Sequence, residues 1–467
     1  MEDARETPER QPDETALPVR VKASVYRLYP TRKQEGTLLW TLRRCKELYN
    51  ASLEERTAAY KMAGVSVSYG MQSEQLPQLK EERPEYQEIY SQVQQDVLRR
   101  LDKAMKAFFR RVDEGQPPGY PRYKSNARYR SFTYPQSGYE IIGALTSHDT
   151  KKKKTCRLKL SKIGHLKMVM HRPIKGTIKG CTIKHDGDQW YAVFSVEQAI
   201  GATPVHPSTK TVGIDMGITS YATLSTGEQI ANPRIYRSTE QQIKEAHRRL
   251  SRRKRGSHRR ARAKRALTRL YRKVRHRRQD FLHKASRQLV NQYGMLVFEA
   301  LQIPNMTARP KLKPAEAPAP LQGSNSGTAA AVTHYLPNGA AAKGGLNKSI
   351  LDAAWGRFIT LCACKAEEAG GMVVKVAPQQ TSQLCSGCGV LVPKDLSVRW
   401  HSCPTCGAEL DRDENAALNI LRRYELHGPI RERKKRKATR KVVGVGSAPQ
   451  RSVPSKEGAD HCRSPRL

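Results

Sequence analysis

Four cysteines near the carboxyl end of the chain have the spacing of metal ligands. Cys385 and Cys388 form one C-x2-C pair, and Cys403 and Cys406 form a second pair after a gap of fourteen residues. The two-residue spacing lets both thiolates of a pair reach one ion, and two pairs complete the tetrahedral site that Zn²⁺ prefers. Because thiolates fill all four positions, the spacing predicts a structural zinc. It leaves open whether the zinc only holds the chain together or supports a ribbon that also touches nucleic acid.

Three carboxylates lie in apolar surroundings that ordinarily exclude charge. Asp215 lies in VGIDMG, Glu299 in LVFEAL and Asp413 in DRDENAALNIL. A buried carboxylate is costly unless it is paired or bound to a metal. If the three converge, their oxygens suit Mg²⁺ or Mn²⁺, and two such ions can activate a water and stabilise the leaving oxygen of a phosphodiester. Singly, they could be a turn residue, a salt-bridged core acid and a helix N-terminal residue, and Asp411 is a rival to Asp413.

The charge balance of the chain indicates a polyanionic partner. The 467 residues include 84 Lys and Arg against 43 Asp and Glu, which gives a formal net charge of +41. Between residues 248 and 278, 17 of 31 residues are Lys or Arg, yet apolar side chains recur every three or four positions. The pattern predicts two amphipathic helices whose basic face contacts phosphates, in preference to a merely solvated face. The candidate nucleic-acid-binding residues are Arg252, Arg253, Lys254, Arg255, Arg259 and Arg260.

The composition argues against several classes of protein. No run of residues approaches the ~18 apolar positions needed to span a bilayer. The acidic, proline-bearing start of the chain has neither the pattern of a signal peptide nor that of an arginine-rich transit peptide. Ten cysteines without an export signal do not suggest a disulfide scaffold. These features disfavour a membrane protein, a secreted disulfide-rich protein and an acidic disordered regulator.

The first 200 residues predict a β unit interrupted by helices. Residues 19–29 alternate like a strand, and Thr31 is placed to cap a helix that continues to about residue 62. A second helix is predicted over residues 86–112. In residues 128–197 apolar and polar residues alternate with the period of two that is typical of strands, and Asp186-Gly187 is a hairpin-turn dipeptide. The pattern predicts a small, barrel-like antiparallel unit.

The second half predicts the elements that position the acids and the cysteines. Strands are expected at VGID, YATLST, Met295–Leu301 and Met372–Val376, and helices at Leu351–Ala369 and Asn415–Leu426. Composition predicts irregular structure in four places: a disordered leader at 1–17, an exposed basic loop at 151–154, a flexible insertion at 307–345 and a basic disordered tail at 427–467.

Several of these segments together resemble the TnpB family, whose members are encoded by insertion sequences and are related to the compact type V CRISPR effectors. The resemblance rests on GIDMGITSYATLSTG, LVFEALQIPNM, LNKSILDAAWGRF, TSQLCSGCG and CPTCGAELDRDENAALNIL. It also includes YRLYPTRKQEGTLLWTLRRCKELYNASLEER near the start and GYPRYK followed by SFTYPQ. It extends over residues 18–426, and the run of motifs near the carboxyl end is the most specific part.

The resemblance implies a multidomain α/β and α+β protein built around a RuvC (RNase H-like) nuclease domain. Matched position by position, Asp215 is the first RuvC acid, Glu299 the second and Asp413 the third. The expected domains are a wedge β-barrel (18–30 and 113–208), a helical recognition domain (31–112), the RuvC domain (209–380 and 408–426) and a zinc ribbon (381–407). The insertion at 307–345 is longer than the family pattern leads us to expect, and the basic tail matches no part of it.

The expected function is RNA-guided cleavage of DNA by two-metal phosphodiester hydrolysis. The expected cofactors are structural Zn²⁺, catalytic Mg²⁺ or Mn²⁺ and a guide RNA. The expected partners are that RNA and double- or single-stranded target DNA, with one or two copies of the chain on one guide RNA, in a prokaryotic cytoplasm. Alternatives are an RNA-guided or non-specific DNA-binding repressor that does not cut and a guide-free RuvC-type nuclease. A tyrosine or serine recombinase is disfavoured, since neither residue type lies in a recognisable nucleophile setting.

Overall fold

A computed structural model of the chain describes residues 19–143, 154–199, 204–311, 313–314, 335–395 and 397–430. The predicted leader, nearly all of the predicted tail, three residues of the lysine run and the centre of the predicted insertion lie outside the described residues. None of the described helices is both long and apolar enough to cross a membrane.

The first half contains one antiparallel sheet of seven strands in the order β2-β6-β7-β1-β5-β4-β3. Its edge strands β2 and β3 are separated by only four residues of chain, so the sheet curls toward closure, as the barrel-like prediction expected. The predicted hairpin is present, with Gly187 at a φ of +72° in the turn. The strands are β1 (Val19–Tyr29), β2 (Ser131–Tyr134), β3 (Tyr139–Ile142), β4 (Lys154–Leu160), β5 (Gly164–Met170), β6 (Thr177–Asp186) and β7 (Gln189–Ala199).

Four helices are inserted between β1 and β2. Helix α1 (Arg32–Ala63) begins with a capping box in which the Thr31 side chain accepts from the backbone of Gln34, as the N-cap prediction expected. Two short helices, α2 (Tyr69–Glu74) and α3 (Leu76–Glu82), were not predicted. The helix predicted over 86–112 is instead a 3₁₀ turn (Pro84–Glu88) followed by α4 (Ser91–Asp113). Leucine and valine side chains of α1 and α4 share one core with the barrel.

The second half contains a sheet of five strands in the order β10-β9-β8-β11-β14. Strands β8, β11 and β14 are parallel, whereas β9 and β10 run antiparallel to their neighbours. The strands are β8 (Thr211–Asp215), β9 (Ser220–Leu224), β10 (Gln229–Ala231), β11 (Met295–Glu299) and β14 (Met372–Val376). Short pairs are formed by β12 (Lys313–Pro314) with β13 (Tyr335–Leu336) and by β15 (Trp400–Ser402) with β16 (Glu409–Asp411).

The helices of the second half pack on this sheet or on one another. They are α5 (Glu240–Ser251), α6 (His258–Gln292), α7 (Ile303–Met306), α8 (Ala340–Ala353), α9 (Trp355–Ala369) and α10 (Arg412–His427). Two sequence predictions were wrong here. The helix predicted at Leu351–Ala369 is two helices, because Ala354 adopts a left-handed φ of +55° between them. The predicted flexible insertion does not extend to residue 345, since α8 begins at Ala340, where alanines favour a helix.

Candidate functional site

Two of the predicted acids end neighbouring parallel strands. Asp215 is the last residue of β8 and Glu299 the last residue of β11. The strands pair with Phe298 opposite Ile214, so the two carboxylates leave the sheet side by side at its carboxyl edge. Both strands are buried and apolar up to these residues, which is the pattern of a parallel sheet covered on both faces. Strand register therefore accounts for the proximity of two acids that are 84 residues apart in the chain.

Helix α10 brings the third acid to the same edge. The helix packs so closely on β8 that a Cβ added to Gly213 would lie 2.2 Å from the carbonyl oxygen of Ala417. Asp413 lies in its first turn, and Asp413 Oδ2 is 3.8 Å from the position of a Cβ built on Gly217, just after β8. The geometry also separates Asp413 from its rival, because Asp411 Oδ1 caps the helix by accepting from the backbone N–H groups of Asp413 (2.8 Å) and Glu414 (3.3 Å).

The three carboxyl groups form a cluster of acids at this edge, which we call the acid edge. Burial, reinforced by the charges of Glu299 and Asp413, raises the pKa of Asp215 to about 8. Burial also raises the pKa of Glu299, although the Thr381 hydroxyl donates to Glu299 Oε1 and opposes that rise. Asp413 has the nearest cationic partner, with Arg412 Nη2 at 3.4 Å from its Oδ1. A divalent cation bound here would favour the ionised form of all three acids.

The donor set of the acid edge fits hard cations that keep part of their water shell. Its oxygens are carboxylates, which Mg²⁺ and Mn²⁺ accept. Within the described part of the chain, only the four predicted cysteines bring three or more ligand atoms within 4.8 Å of one another. The three carboxylates do not meet this criterion as a set, so water and phosphate oxygens would complete the coordination of any ion held there.

The four predicted cysteines meet in one cluster. The Sγ atoms of Cys385 and Cys406 are 3.6 Å apart, as are those of Cys388 and Cys403. Backbone N–H groups of Cys406 and Thr405 lower the pKa of Cys403 to about 6, which favours the thiolate that binds metal. Four converging thiolates fit a tetrahedral Zn²⁺ with no open position.

Helix α10 links the cysteine cluster to the acid edge through residues that sequence reasoning missed. Asn415 accepts from the backbone N–H of Ser386 (2.9 Å) and donates to the carbonyl of Leu384 (2.7 Å). Asn419 donates to the same carbonyl (2.6 Å) and to that of Thr381 (2.9 Å). The helix that carries Asp413 thus holds the first cysteine pair and the loop whose hydroxyl contacts Glu299. Two buried asparagines four positions apart in the otherwise apolar ENAALNIL were the available signal.

The six basic residues predicted to bind nucleic acid lie at the turn between α5 and α6. Arg252, Arg253, Lys254, Arg255 and Arg259 are exposed. Arg260 differs, because its Nη1 donates to the carbonyls of Leu250 (2.7 Å) and Arg253 (2.9 Å) and thereby closes the turn.

Further along α6, some arginines of the predicted basic face form salt bridges within the chain. Arg269 Nε lies 2.8 Å from Asp188 Oδ2, Arg272 Nη1 lies 2.6 Å from Asp188 Oδ1, and Arg275 pairs with Asp186. These acids lie at the tip of the β6–β7 hairpin, so this face of α6 binds the barrel. The predicted phosphate-contacting surface over 248–278 therefore loses three arginines to contacts with the hairpin, whereas Arg262, Lys264, Arg265, Lys273 and Arg277 of α6 are exposed.

Comparisons with protein families match three parts of the chain. Residues 189–309 match the family OrfB_IS605, described as “Probable transposase”, and residues 355–420 match “Cas12f1-like, TNB domain”. Residues 21–64 match a “Helix-turn-helix domain”. In the structure this last segment is strand β1 followed by the single helix α1.

Individual proteins match most of the chain. It is 33% identical over 409 residues to a “Putative RNA-guided DNA endonuclease” of Streptomyces pristinaespiralis, which covers 86% of this chain and 88% of that protein. It is 28% identical over 405 residues to “Putative RNA-guided DNA endonuclease InsQ” of Escherichia coli (strain K12), which covers 86% of this chain and 92% of that protein. A solved structure of the mini-RNA-guided endonuclease CRISPR-Cas_phi3 has a TM-score of 0.49 at 8% identity, over 86% of this chain and 92% of that one.

Proposed function

The chain belongs to the TnpB family, which is related to the type V CRISPR effectors, and from this premise we propose that it is an RNA-guided DNA endonuclease. The observation that carries the proposal is the acid edge. Asp215, Glu299 and Asp413 come from three distant segments to one edge of a sheet, and burial, reinforced by the charges of the other two acids, raises the pKa of Asp215 to about 8. A site of this kind is suited to hold divalent cations over a phosphodiester.

The order of the strands supports a RuvC (RNase H-like) assignment for the second half. Three antiparallel strands that follow one another in the chain are extended on one side by two parallel strands, with the first acid on the central strand β8. On this assignment the cysteine cluster is a zinc ribbon between α9 and α10, the seven-stranded barrel is the wedge domain, and α1 to α4 form the helical recognition domain. The domain boundaries given above remain proposals.

In the proposed reaction Asp215, Glu299 and Asp413 hold Mg²⁺ or Mn²⁺ ions, which supply an activated water and charge stabilisation for the leaving oxygen when bound. The residues of the chain position these ligands. The Thr381 hydroxyl orients Glu299, and the cap made by Asp411 fixes the first turn of α10, on which Asp413 lies. Zn²⁺ on the four thiolates holds the ribbon that Asn415 ties to the same helix.

The proposed nucleic-acid partners follow from charge and family. A net charge of +41 suits a chain that lies along polyanions, and the exposed part of the α5–α6 turn offers five basic side chains. We assign these side chains to backbone phosphates, contacts that position a nucleic acid without reading its sequence. Sequence reading is assigned to base pairing between a guide RNA and the target strand. One or two chains on one guide RNA, acting in a prokaryotic cytoplasm, complete the proposal.

The test is reconstitution of cutting with RNA that co-purifies from the native locus. The purified complex should cut a matching DNA duplex in Mg²⁺, and the co-purified RNA should have a constant scaffold and a variable guide. Asp413→Asn should abolish cutting while target binding in EDTA is retained. Asp411→Asn is the matched control, because asparagine also caps helices and leaves the acid edge intact.

Each outcome separates the proposal from its alternatives. Target binding without cutting in the unmodified complex would favour the repressor, and Mg²⁺-dependent cutting without any discrete RNA would favour the guide-free nuclease. If Asp413→Asn cuts as fast as the unmodified protein and Asp411→Asn does not, the third acid has been assigned to the wrong residue.

A further inference from the structure

A cavity lined by both polar and apolar groups lies beside the turn after β8. Its volume is about 430 Å³, and it is lined by Ile218, Asn232, Arg234, Arg237, Ser349 and Asp352. Gly217 approaches Asp413, with 3.8 Å between Asp413 Oδ2 and a Cβ built on the glycine, and the next residue, Ile218, lines the cavity. One short turn is therefore shared by the acid edge and this cavity. The volume is within the usual range of ligand-binding pockets.

Arg234 is held in the cavity wall in an unfavourable backbone conformation. Its φ is +41°, a region that residues other than glycine rarely adopt. Two contacts enforce it: the Arg234 N–H donates to Asn232 Oδ1 (3.1 Å), and the Arg234 carbonyl accepts from the N–H of Ser238 (3.1 Å). Strain that the surroundings impose in this way is characteristic of functional positions.

The guanidinium of Arg234 is the uncommitted charge of the cavity. Arg234 is exposed, and no group among the described residues hydrogen-bonds or pairs with its side chain. Arg237, by contrast, is bonded to Glu240 (3.1 Å) and to the carbonyl of Gly345 (3.4 Å).

The one carboxylate of the cavity is already neutralised. Asp352 Oδ1 accepts from Arg278 Nη2 (2.5 Å), and its Oδ2 accepts from the backbone N–H of Tyr236 (2.8 Å). The charge left to meet a ligand is therefore positive. A free guanidinium beside an amide side chain suits an anion with several acceptor oxygens. The phosphodiester backbone of the proposed DNA substrate is such an anion.

We propose that this cavity binds a backbone phosphate of the DNA strand being cut, next to the scissile phosphate, and that Arg234 is its ligand. The proposal rests on the proposed function and adds a positioning site to it. Asn232 connects the two sites, because its Nδ2 donates to the carbonyl of Ile218 (2.7 Å) while its Oδ1 holds the backbone of Arg234. A phosphate held on Arg234 is thus fixed relative to the turn that lies against Asp413, and the strand is aligned over the acid edge.

The test compares Arg234→Gly with Lys162→Gly in the assembled complex. Glycine accepts a positive φ without strain, so Arg234→Gly removes the guanidinium and preserves the backbone. Lys162 is the matched control, because it is also an exposed basic residue at positive φ (+67°) and lies in the β4–β5 turn of the barrel. Arg234→Gly should slow single-turnover cutting about tenfold or more, the loss expected for a charge-assisted hydrogen bond. Lys162→Gly should cut at the unmodified rate, and both variants should bind target in EDTA normally.

Neutralising single phosphates locates the contact. Methylphosphonates placed one at a time around the cut should slow the unmodified complex at one position, and at that position Arg234→Gly should show no further loss. Arg234→Lys, which keeps the charge without the fork of donors, should retain part of the rate and part of the sensitivity to that methylphosphonate.

Two results would overturn the inference. One is cutting by Arg234→Gly at the unmodified rate, and the other is a loss of rate from Arg234→Gly that adds to the loss from the methylphosphonate at every position. Should Arg234→Gly prove unstable to heat, the same comparison with Arg234→Lys decides. These failures differ from failure of the proposed function, in which the unmodified complex does not cut a guided target at all.

Discussion

Replacing Asp215 with asparagine measures how far the acid edge depends on cations. Burial, with the neighbouring charges of Glu299 and Asp413, raises the pKa of Asp215 from 3.8 to about 8. A carboxyl group whose folded-state pKa is raised contributes stability that is fully present below its unfolded pKa and is lost as the pH rises through the folded one. Without divalent ions, the protein should therefore become less stable between pH 4 and pH 8. Asp215→Asn keeps the shape of the side chain and removes this loss.

The size of the effect follows from the shift. One pKa unit corresponds to about 1.36 kcal/mol, so between pH 5 and pH 8 the unmodified protein should lose about 4 kcal/mol that Asp215→Asn retains. For a folded unit of roughly 200 residues, 1 kcal/mol changes the melting temperature by about 2–4 °C. Between pH 5 and pH 8, the melting temperature of the unmodified protein should therefore fall by about 8–16 °C more than that of Asp215→Asn. Added Mg²⁺ should raise the melting temperature of the unmodified protein at pH 8, because the ions bind the ionised site of the native state. The melting temperature of Asp215→Asn should change little.

The assay is calorimetry of the RNA-free protein at pH 5 and pH 8, in EDTA and in Mg²⁺. Asp411→Asn is the control, since it removes a carboxylate two residues from Asp413 while the helix cap persists, and it should follow the unmodified protein. Equal pH dependence of Asp215→Asn and the unmodified protein in EDTA would refute the reasoning. So would equal stabilisation of both by Mg²⁺.

Three further predictions test the surroundings of the site. Gly213→Ala should abolish cutting and lower the free energy of unfolding by about 1–3 kcal/mol, because the new Cβ meets the backbone of α10 at 2.2 Å. The control is Gly36→Ala in α1, where the Cβ enters open space and should raise the free energy of unfolding in denaturant by roughly 0.5–1 kcal/mol. Asp188→Asn should cost about 3 kcal/mol in the same assay, since Arg272, only 9% exposed, loses its carboxylate partner; no change would show that the hairpin contact contributes nothing. Cys403→Ser should reduce bound zinc and expose the ribbon to proteolysis, and full zinc content by atomic absorption would contradict a four-thiolate site.

Local patterns predicted the elements that carry the acid edge. Strands β8 and β11 are short apolar runs that end in an acid, and short apolar runs bounded by polar residues are consistent with buried strands. Asp215 and Glu299 were identifiable as candidate ligands because a charge at the end of a buried apolar strand is costly unless it is paired or binds a metal. The interruption at Ala354 was not predictable in this way, since alanine favours helix and nothing in the local sequence indicates its left-handed φ.

The sequence alone could not show which arginines are free. Arg269, Arg272 and Arg275 recur every three residues on one face of α6, a spacing that serves a phosphate backbone as well as an acidic hairpin. Only the fold brings the Asp-Gly-Asp turn (186–188) against that face and assigns these side chains to the barrel. The same contacts have a consequence for function. Since the hairpin occupies one end of the basic run, the exposed α5–α6 turn stays open to nucleic acid, and substitutions there should weaken RNA or DNA binding without loosening the fold.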